Sequence, residues 1–306
     1  MTILVTGAAG FVGQAVARKL QASPSGQPVR LLDRLPAPEI GDRRFSTLCG
    51  DLTDAACVDE ALEDVSTVIH LASLPGGAAE ANPVASRQIN LDATLHMLER
   101  IDAGPRKVRF VYASSIAVFG AQPAQVDDAT LPNPALVYGA HKRMVEIALA
   151  DFHRRGRVDG IALRLPGIVA RPGGSSGLKS AFLSDIFHAA RDRRSYVVPV
   201  SEQATVWMMS VPCVAGNLLH AAGLEDGQGL ALTLPATRVQ LGDLAERLFQ
   251  NNEEKPIFQP DNALEVVFGA YPPLITPKAS ALGFVDDGPI ETLIETVGRH
   301  LEEQES

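Results

Sequence analysis

Tyr138 and Lys142 stand four residues apart, so on a helix they share one face, and upstream Ser115 closes an apolar run with a hydroxyl. Together these side chains can move a proton. Oxidising an alcohol requires a base for the hydroxyl proton while hydride leaves the carbon. A phenol near its ordinary pKa of about 10 is a poor base at neutral pH; lowering it to about 7 takes roughly 4 kcal/mol of preferential phenolate stabilisation. The Lys142 ammonium and an oxidised nicotinamide would each place positive charge near that oxygen. Ser115 would hold the reacting oxygen by a hydrogen bond as charge develops. Alone, the pair is also what an amphipathic tyrosine and a solvated lysine look like, so its context decides.

That context begins at the first turn. The apolar run Ile3, Leu4, Val5 leads into Thr6-Gly7-Ala8-Ala9-Gly10-Phe11-Val12-Gly13, after which Val12, Ala15, Val16 and Leu20 fall on one helix face. A buried strand, three glycines and a helix start set backbone N–H groups and a partial positive charge against a pyrophosphate. Gly7 permits the turn, Gly10 removes a Cβ that would block the phosphates, and Gly13 lets helix and strand pack closely. Val29 to Asp33 reads as a second strand. Asp33 lies about 20 residues past the last glycine, where it can bind a ribose diol and repel a 2′-phosphate. NAD is therefore expected over NADP. A third strand is expected to end at Gly50-Asp51-Leu52, and Asp51 is open to two compatible roles, adenine contact and helix N-cap.

Further strands and helices alternate behind this turn. Val65 to Ser73 reads as a buried strand ending in small residues that let a cofactor pass, with Ser73 facing substrate or capping a loop. His70 reads as a structural hydrogen-bonder rather than a catalyst. A helix is expected from about Val84 to Ile101, with Leu91, Leu95 and Leu98 buried and Asn90 beside them, either tying loops together or exposed. Val108 to Ser115 is the next strand, ending in two hydroxyls that either meet a ligand or cap the following turn. A helix from Val137 through Phe152 and a strand over Asp159 to Gly167 follow. This alternation predicts an α/β fold, a Rossmann-type doubly wound parallel sheet with a smaller C-terminal substrate lobe. Residues 1–166 with about 212–235 are assigned to the NAD-binding domain, and 167–211 with 236–306 to the substrate lobe. Ala170 to Gly177 reads as a loop whose arginine, Arg171, is either a carboxylate partner or an exposed charge; Ser175 and Ser176 sit beside it.

Composition narrows the partners. With 36 acids against 27 bases the chain carries a net charge of −9, which argues against nucleic acid and anionic membrane surfaces. No apolar run approaches bilayer length and no leader follows Met1, so a soluble, cytoplasmic protein is expected. Cys49, Cys57, Cys213 and the seven histidines lack metal-ligand spacing, and no metal is expected.

Taken jointly, Thr6 to Gly13, Asp51-Leu52, His70 to Ala72, Asn90, Ser114-Ser115 and the Tyr138/Lys142 pair resemble the extended short-chain dehydrogenases/reductases, the NAD-dependent epimerase/dehydratase family, over nearly the whole chain. The resemblance implies Tyr138 as base, Lys142 on the nicotinamide ribose and Ser115 as the catalytic hydroxyl. It implies cofactor contacts at Gly7, Gly10, Phe11, Val12, Gly13, Asp33, Asp51, Leu52, Leu71, Ala72 and Pro166, and a homodimer built on helices near 84–101 and 137–155. The chain departs from the family's sugar-nucleotide enzymes. Gly167 stands where they carry asparagine after the Leu-Arg strand, and Thr205 to Val211 lacks their nucleotide-gripping arginine and histidine. The runs at 114–120, 158–166 and 169–173 are instead similar to the D-erythronate dehydrogenase branch. That similarity implies NAD-dependent oxidation of the C2 hydroxyl of a small anionic sugar acid, with Ser73, Ser115, Tyr138 and Arg171 at the substrate. The alternatives are a nucleotide-sugar epimerase that retains its NAD and a non-catalytic NAD sensor.

Overall fold

The computed structural model describes all residues except 38, 121–123, 173–179 and 304–306. Five strands, β1 (Thr2–Thr6), β2 (Val29–Asp33), β3 (Phe45–Cys49), β4 (Val65–His70) and β5 (Val108–Ser115), join Val158–Leu165 and Ala231–Thr233 in one parallel sheet. The order across it is Ala231–Thr233, Val158–Leu165, β5, β4, β1, β2, β3. The chain steps outward from β1 to β3, then returns to place β4 on the other side of β1. Ligands bind such sheets at this reversal, outside the carboxyl ends of the strands. The central strands are apolar along their length because both faces are covered: Leu4, Val5, Leu32, Val68, Ile69, Phe110 and Val111 are all buried.

Helix α1 (Phe11–Ala22) follows β1, and α2 (Ala55–Leu62) follows β3. The third strand stops at Cys49, short of the expected Asp51-Leu52. Asp54, not Asp51, caps α2 by accepting the Ala56 N–H. Asp51 instead accepts the Thr53 N–H and hydroxyl at 2.8 and 2.9 Å, which holds its carboxyl below the ordinary range.

The helix expected over 84–101 is not continuous. Short helices at Gly76–Ala81 and Pro83–Ser86 precede a π-helical turn at Arg87–Asp92, and regular helix resumes at Ala93–Ala103. The wider turn rotates the following residues. Asn90, Thr94, Met97, Leu98 and Ile101 are buried, while Leu91 and Leu95 are only half-buried. The strand expected over 159–167 ends at Leu165, because Pro166 has no N–H for the ladder. Gly167–Val169 begins a second sheet with Thr205–Ser210 and Thr237–Gln240.

Residues 1–120, 132–165 and 215–233 form one compact unit; the described parts of 121–131, 166–214 and 234–306 form another. The segment before Leu131, placed by sequence in the nucleotide-binding domain, belongs to the second unit because Val126 and Asp127 pair in parallel with Leu274 and Ile275. That unit has its own core of Val206, Met208, Phe187, Leu244, Val297 and their neighbours. Among the described residues, no helix is long and apolar enough to cross a membrane.

Candidate functional site

At the carboxyl edge Leu32, Thr6, His70 and Tyr112 lie in register across four strands. The chain leaves β1 through Gly7, whose φ of +70° is strained for any residue with a side chain; a Cβ there would sit 2.7 Å from the Ala72 nitrogen. A Cβ on Gly13 would overlap the Gly7 carbonyl oxygen, so this glycine sets the approach of helix to loop. At Gly10 a Cβ would find only the Gly7 oxygen, at 3.1 Å; the other side is open. Helix α1 starts here with no capping side chain and no acid in its first turn. Asp33 ties the cradle down, accepting the Ala9 and Leu35 N–H groups at 3.0 Å each. These residues fit the pyrophosphate of a bound dinucleotide.

Thr6 is the hub that the sequence did not reveal. Its Oγ1 accepts the Leu71 and Ala72 N–H groups at 3.2 and 3.3 Å and lies 2.8 Å from His70 Nδ1. His70 Nε2 lies 3.0 Å from Thr94 Oγ1, whose hydroxyl donates to the Asn90 carbonyl. Asn90 is buried, not exposed: its amide exchanges hydrogen bonds with both backbone groups of Leu74 and donates to Ser86. The half-buried Leu71, Ala72 and Ser73 are thus held between β4 and the π turn.

Tyr138 and Lys142 lie on the helix Val137–Arg155. Lys142 is not solvated. It is 2 % exposed, donates to the Ala113 carbonyl at 2.7 Å, and lies 4.7 Å from the Tyr112 ring centre and 5.5 Å from that of Tyr138. Burial pushes its ammonium down to about 7, and Glu146 opposes that fall. Ser114 and Ser115 divide their work. Ser114 donates to Glu146 at 2.6 Å, whereas Ser115, half-buried, accepts the Ala117 N–H at 3.1 Å and keeps its hydroxyl hydrogen for another acceptor. Glu146 also receives Arg164 through both its oxygens, at 2.9 Å each, and Arg143 at 3.1 Å. Its position four residues past Lys142 was the available signal for it.

In the second unit Arg171 is half-buried and its carbonyl accepts from His188 at 2.6 Å; Ala170 before it adopts a left-handed φ of 58°. Ser175 and Ser176 lie outside the described residues. A side chain at Gly167 would meet the Trp207 carbonyl oxygen at 2.9 Å, so an asparagine has no room there. Val206 to Ser210 is buried strand and Val211 opens the next helix, with Ser210 spent on Asp287 and the Trp207 indole on the Pro272 carbonyl. At the amino ends of the first unit's strands, His153, Asp159 and Asp226 converge, a grouping sequence spacing had not signalled. Two of the three are engaged within the protein: Arg109 and the Gly227 N–H occupy Asp159, and the Gly160 N–H occupies His153 Nδ1.

A doubly wound sheet with a glycine cradle at its reversal defines the dinucleotide-binding class. Within that class, residues 3–207 match the model of the NAD dependent epimerase/dehydratase family, and the chain belongs to that family. Two relatives, the D-erythronate dehydrogenases of Cupriavidus necator and Haemophilus influenzae, are 33 % and 31 % identical, each over 96 % of this chain and 97 % and 98 % of theirs. A solved structure described as the nucleoside-diphosphate-sugar epimerase from Agrobacterium tumefaciens superposes with a TM-score of 0.89 at 29 % identity, covering 99 % of this chain and 94 % of that one.

Proposed function

We propose that this protein is an NAD-dependent dehydrogenase that oxidises the C2 hydroxyl of a small sugar acid such as D-erythronate to the 2-oxo acid. The observation that carries the reading is the buried Lys142 between the Tyr112 and Tyr138 rings, on the helix beside the Ser115 strand end. The names of the two full-length relatives support the substrate class. Bound NAD supplies the hydride acceptor and a positive charge. The Tyr138 oxygen takes the hydroxyl proton, Lys142 Nζ stabilises the phenolate, and Ser115 donates a hydrogen bond to the oxygen that becomes the carbonyl. Gly7, Gly10, Phe11, Val12 and Gly13 hold the pyrophosphate, Asp33 the ribose diol, and Asp51 with Leu52 the adenine. Leu71, Ala72 and Pro166 complete the cofactor contacts, and Ser73 faces the substrate. Arg171 is our partner for the substrate carboxylate, since a guanidinium binds that group through two parallel hydrogen bonds. Two copies are proposed to pair through the helices around 84–101 and 137–155.

NADH formation across a stereochemically complete set of four- to six-carbon aldonic acids tests this reading. One or more should be oxidised, with Tyr138→Phe slower by about 10²–10⁴-fold while still binding NAD. An inactive panel, or an active Tyr138→Phe, overturns it. The description of the Agrobacterium structure favours a second reading, a nucleotide-sugar epimerase. An epimerase would be thermally stabilised by uridine or thymidine diphosphate and would release no NADH. The crowding of any side chain at Gly167 against the Trp207 carbonyl and the apolar run at 206–209 favour the first reading.

A further inference from the structure

Glu146 is buried without touching any group assigned a chemical step. Its side chain is fully enclosed, and its carboxylate gathers Ser114 from β5, Arg164 from the adjacent strand and Arg143 from its own helix. A buried charge costs several kcal/mol to desolvate unless well paired, and a hydrophobic substitute for an ion pair is often no less stable. Glu146 and Arg164 would satisfy each other anywhere in the core. Here the pair sits one helical turn beyond Lys142 and two turns beyond Tyr138.

We propose that Glu146 is a positioning residue whose negative charge selects the ammonium–phenolate form of the Lys142–Tyr138 pair over the amine–phenol form. The inference rests on the proposed role of Tyr138 as the base. Both forms of the pair hold the same number of protons, so the choice between them is a proton transfer from the Tyr138 oxygen to Lys142 Nζ within the pair. A carboxylate nearer the lysine than the tyrosine stabilises the ammonium more than it destabilises the phenolate. The other groups facing Lys142 do not make this choice. The Tyr112 ring and the Ala113 carbonyl favour the ammonium without carrying charge, His70 is buried and neutral, and Arg164 and Arg143 are held on Glu146 itself. Burial pulls the other way, toward the amine, so without Glu146 the pair would lose its phenolate.

Ultraviolet tyrosinate titration of the full chain, taken as the difference from Tyr138→Phe, isolates the Tyr138 signal with neither substrate nor cofactor. In Glu146→Gln this signal should move up by about one pH unit or more, and Glu146→Asp should restore most of it. Ser114→Ala, which removes only a hydrogen bond to the carboxylate, should leave it in place. Should Glu146→Gln fail to fold because Arg164 is left unpaired, Glu146→Gln/Arg164→Gln compared with Arg164→Gln isolates the carboxylate and should show the upward shift. An unmoved or lowered Tyr138 signal in whichever of these variants is folded overturns the proposal, as does an equal shift in Ser114→Ala. A shift as expected without oxidation of any sugar acid would sink the substrate reading and leave this one standing.

Discussion

At His70 the hydrogen-bond ledger decides the protonation state. Thr6 Oγ1 already accepts two backbone N–H groups, so its hydrogen points to Nδ1; Nε2 then carries the ring proton and donates to Thr94, whose own hydrogen goes to the Asn90 carbonyl. A second ring proton would face the Thr6 hydrogen. Burial, helped by the Lys142 charge, accordingly pushes the imidazolium down to about 3. An unfolded histidine titrates near 6.5, so below that pH the unfolded chain binds one more proton and stability falls as pH drops toward 3. Urea unfolding followed from pH 7 to about pH 4 should show this loss, and His70→Gln should lower stability at pH 7 while flattening its pH slope by about one proton. An unchanged slope would mean that His70 is not the group responsible. The structural role of His70 was legible from its place on an apolar strand. Its partners were not, since Thr6 and Thr94 are 64 and 24 positions away and nothing local marks a threonine as a hub.

At the level of elements, the glycine turn and the strand alternation were readable because each depends on local residue type: glycine where a Cβ collides, apolar runs where both sheet faces are covered. The π turn at Arg87–Asp92 was not, because nothing in its composition distinguishes it from ordinary helix; it is held by Asn90 reaching across to Leu74. Gly139 carries a similar tertiary message. The helix Val137–Arg155 packs its first turn on the short 3₁₀ turn Ile116–Val118, so closely that a Cβ on Gly139 would overlap the Ala117 carbonyl oxygen. That contact sets the helix carrying Tyr138 against the strand end carrying Ser115. Gly139→Ala must push the two apart, at a cost of about 1–3 kcal/mol in stability. The larger effect should be on turnover: displacement of a reacting group by about 1 Å can cost 10²-fold. A folded Gly139→Ala with undiminished kcat would show that the spacing is looser than the backbone implies.

For the molecule as a whole, the sheet order follows from right-handed crossovers, but the allotment of residues to the two units does not, since the Val126–Leu274 pairing joins segments nearly half the chain apart. The helix Val137–Arg155 poses a related question on its outer side. Val145, Leu149 and Phe152 face inward and are buried, yet Met144 and Ile147, one turn apart on the opposite side, are 48 % and 57 % exposed, and Val84 is 68 % exposed. Scattered apolar side chains at a surface need no explanation, but a pair spaced to share one helix face does. In a two-fold pairing the same helix meets its symmetry mate, so each exposed side chain is covered twice for one set of residues. Ile147→Glu would then bring like charges into one dry contact in both copies. Sedimentation equilibrium should give twice the chain mass for the parent protein and the single-chain mass for the variant. Because Ile147 faces away from Lys142 and Glu146 on the same helix, the variant should stay folded and bind NAD; an unchanged mass in both proteins would remove these helices from the interface.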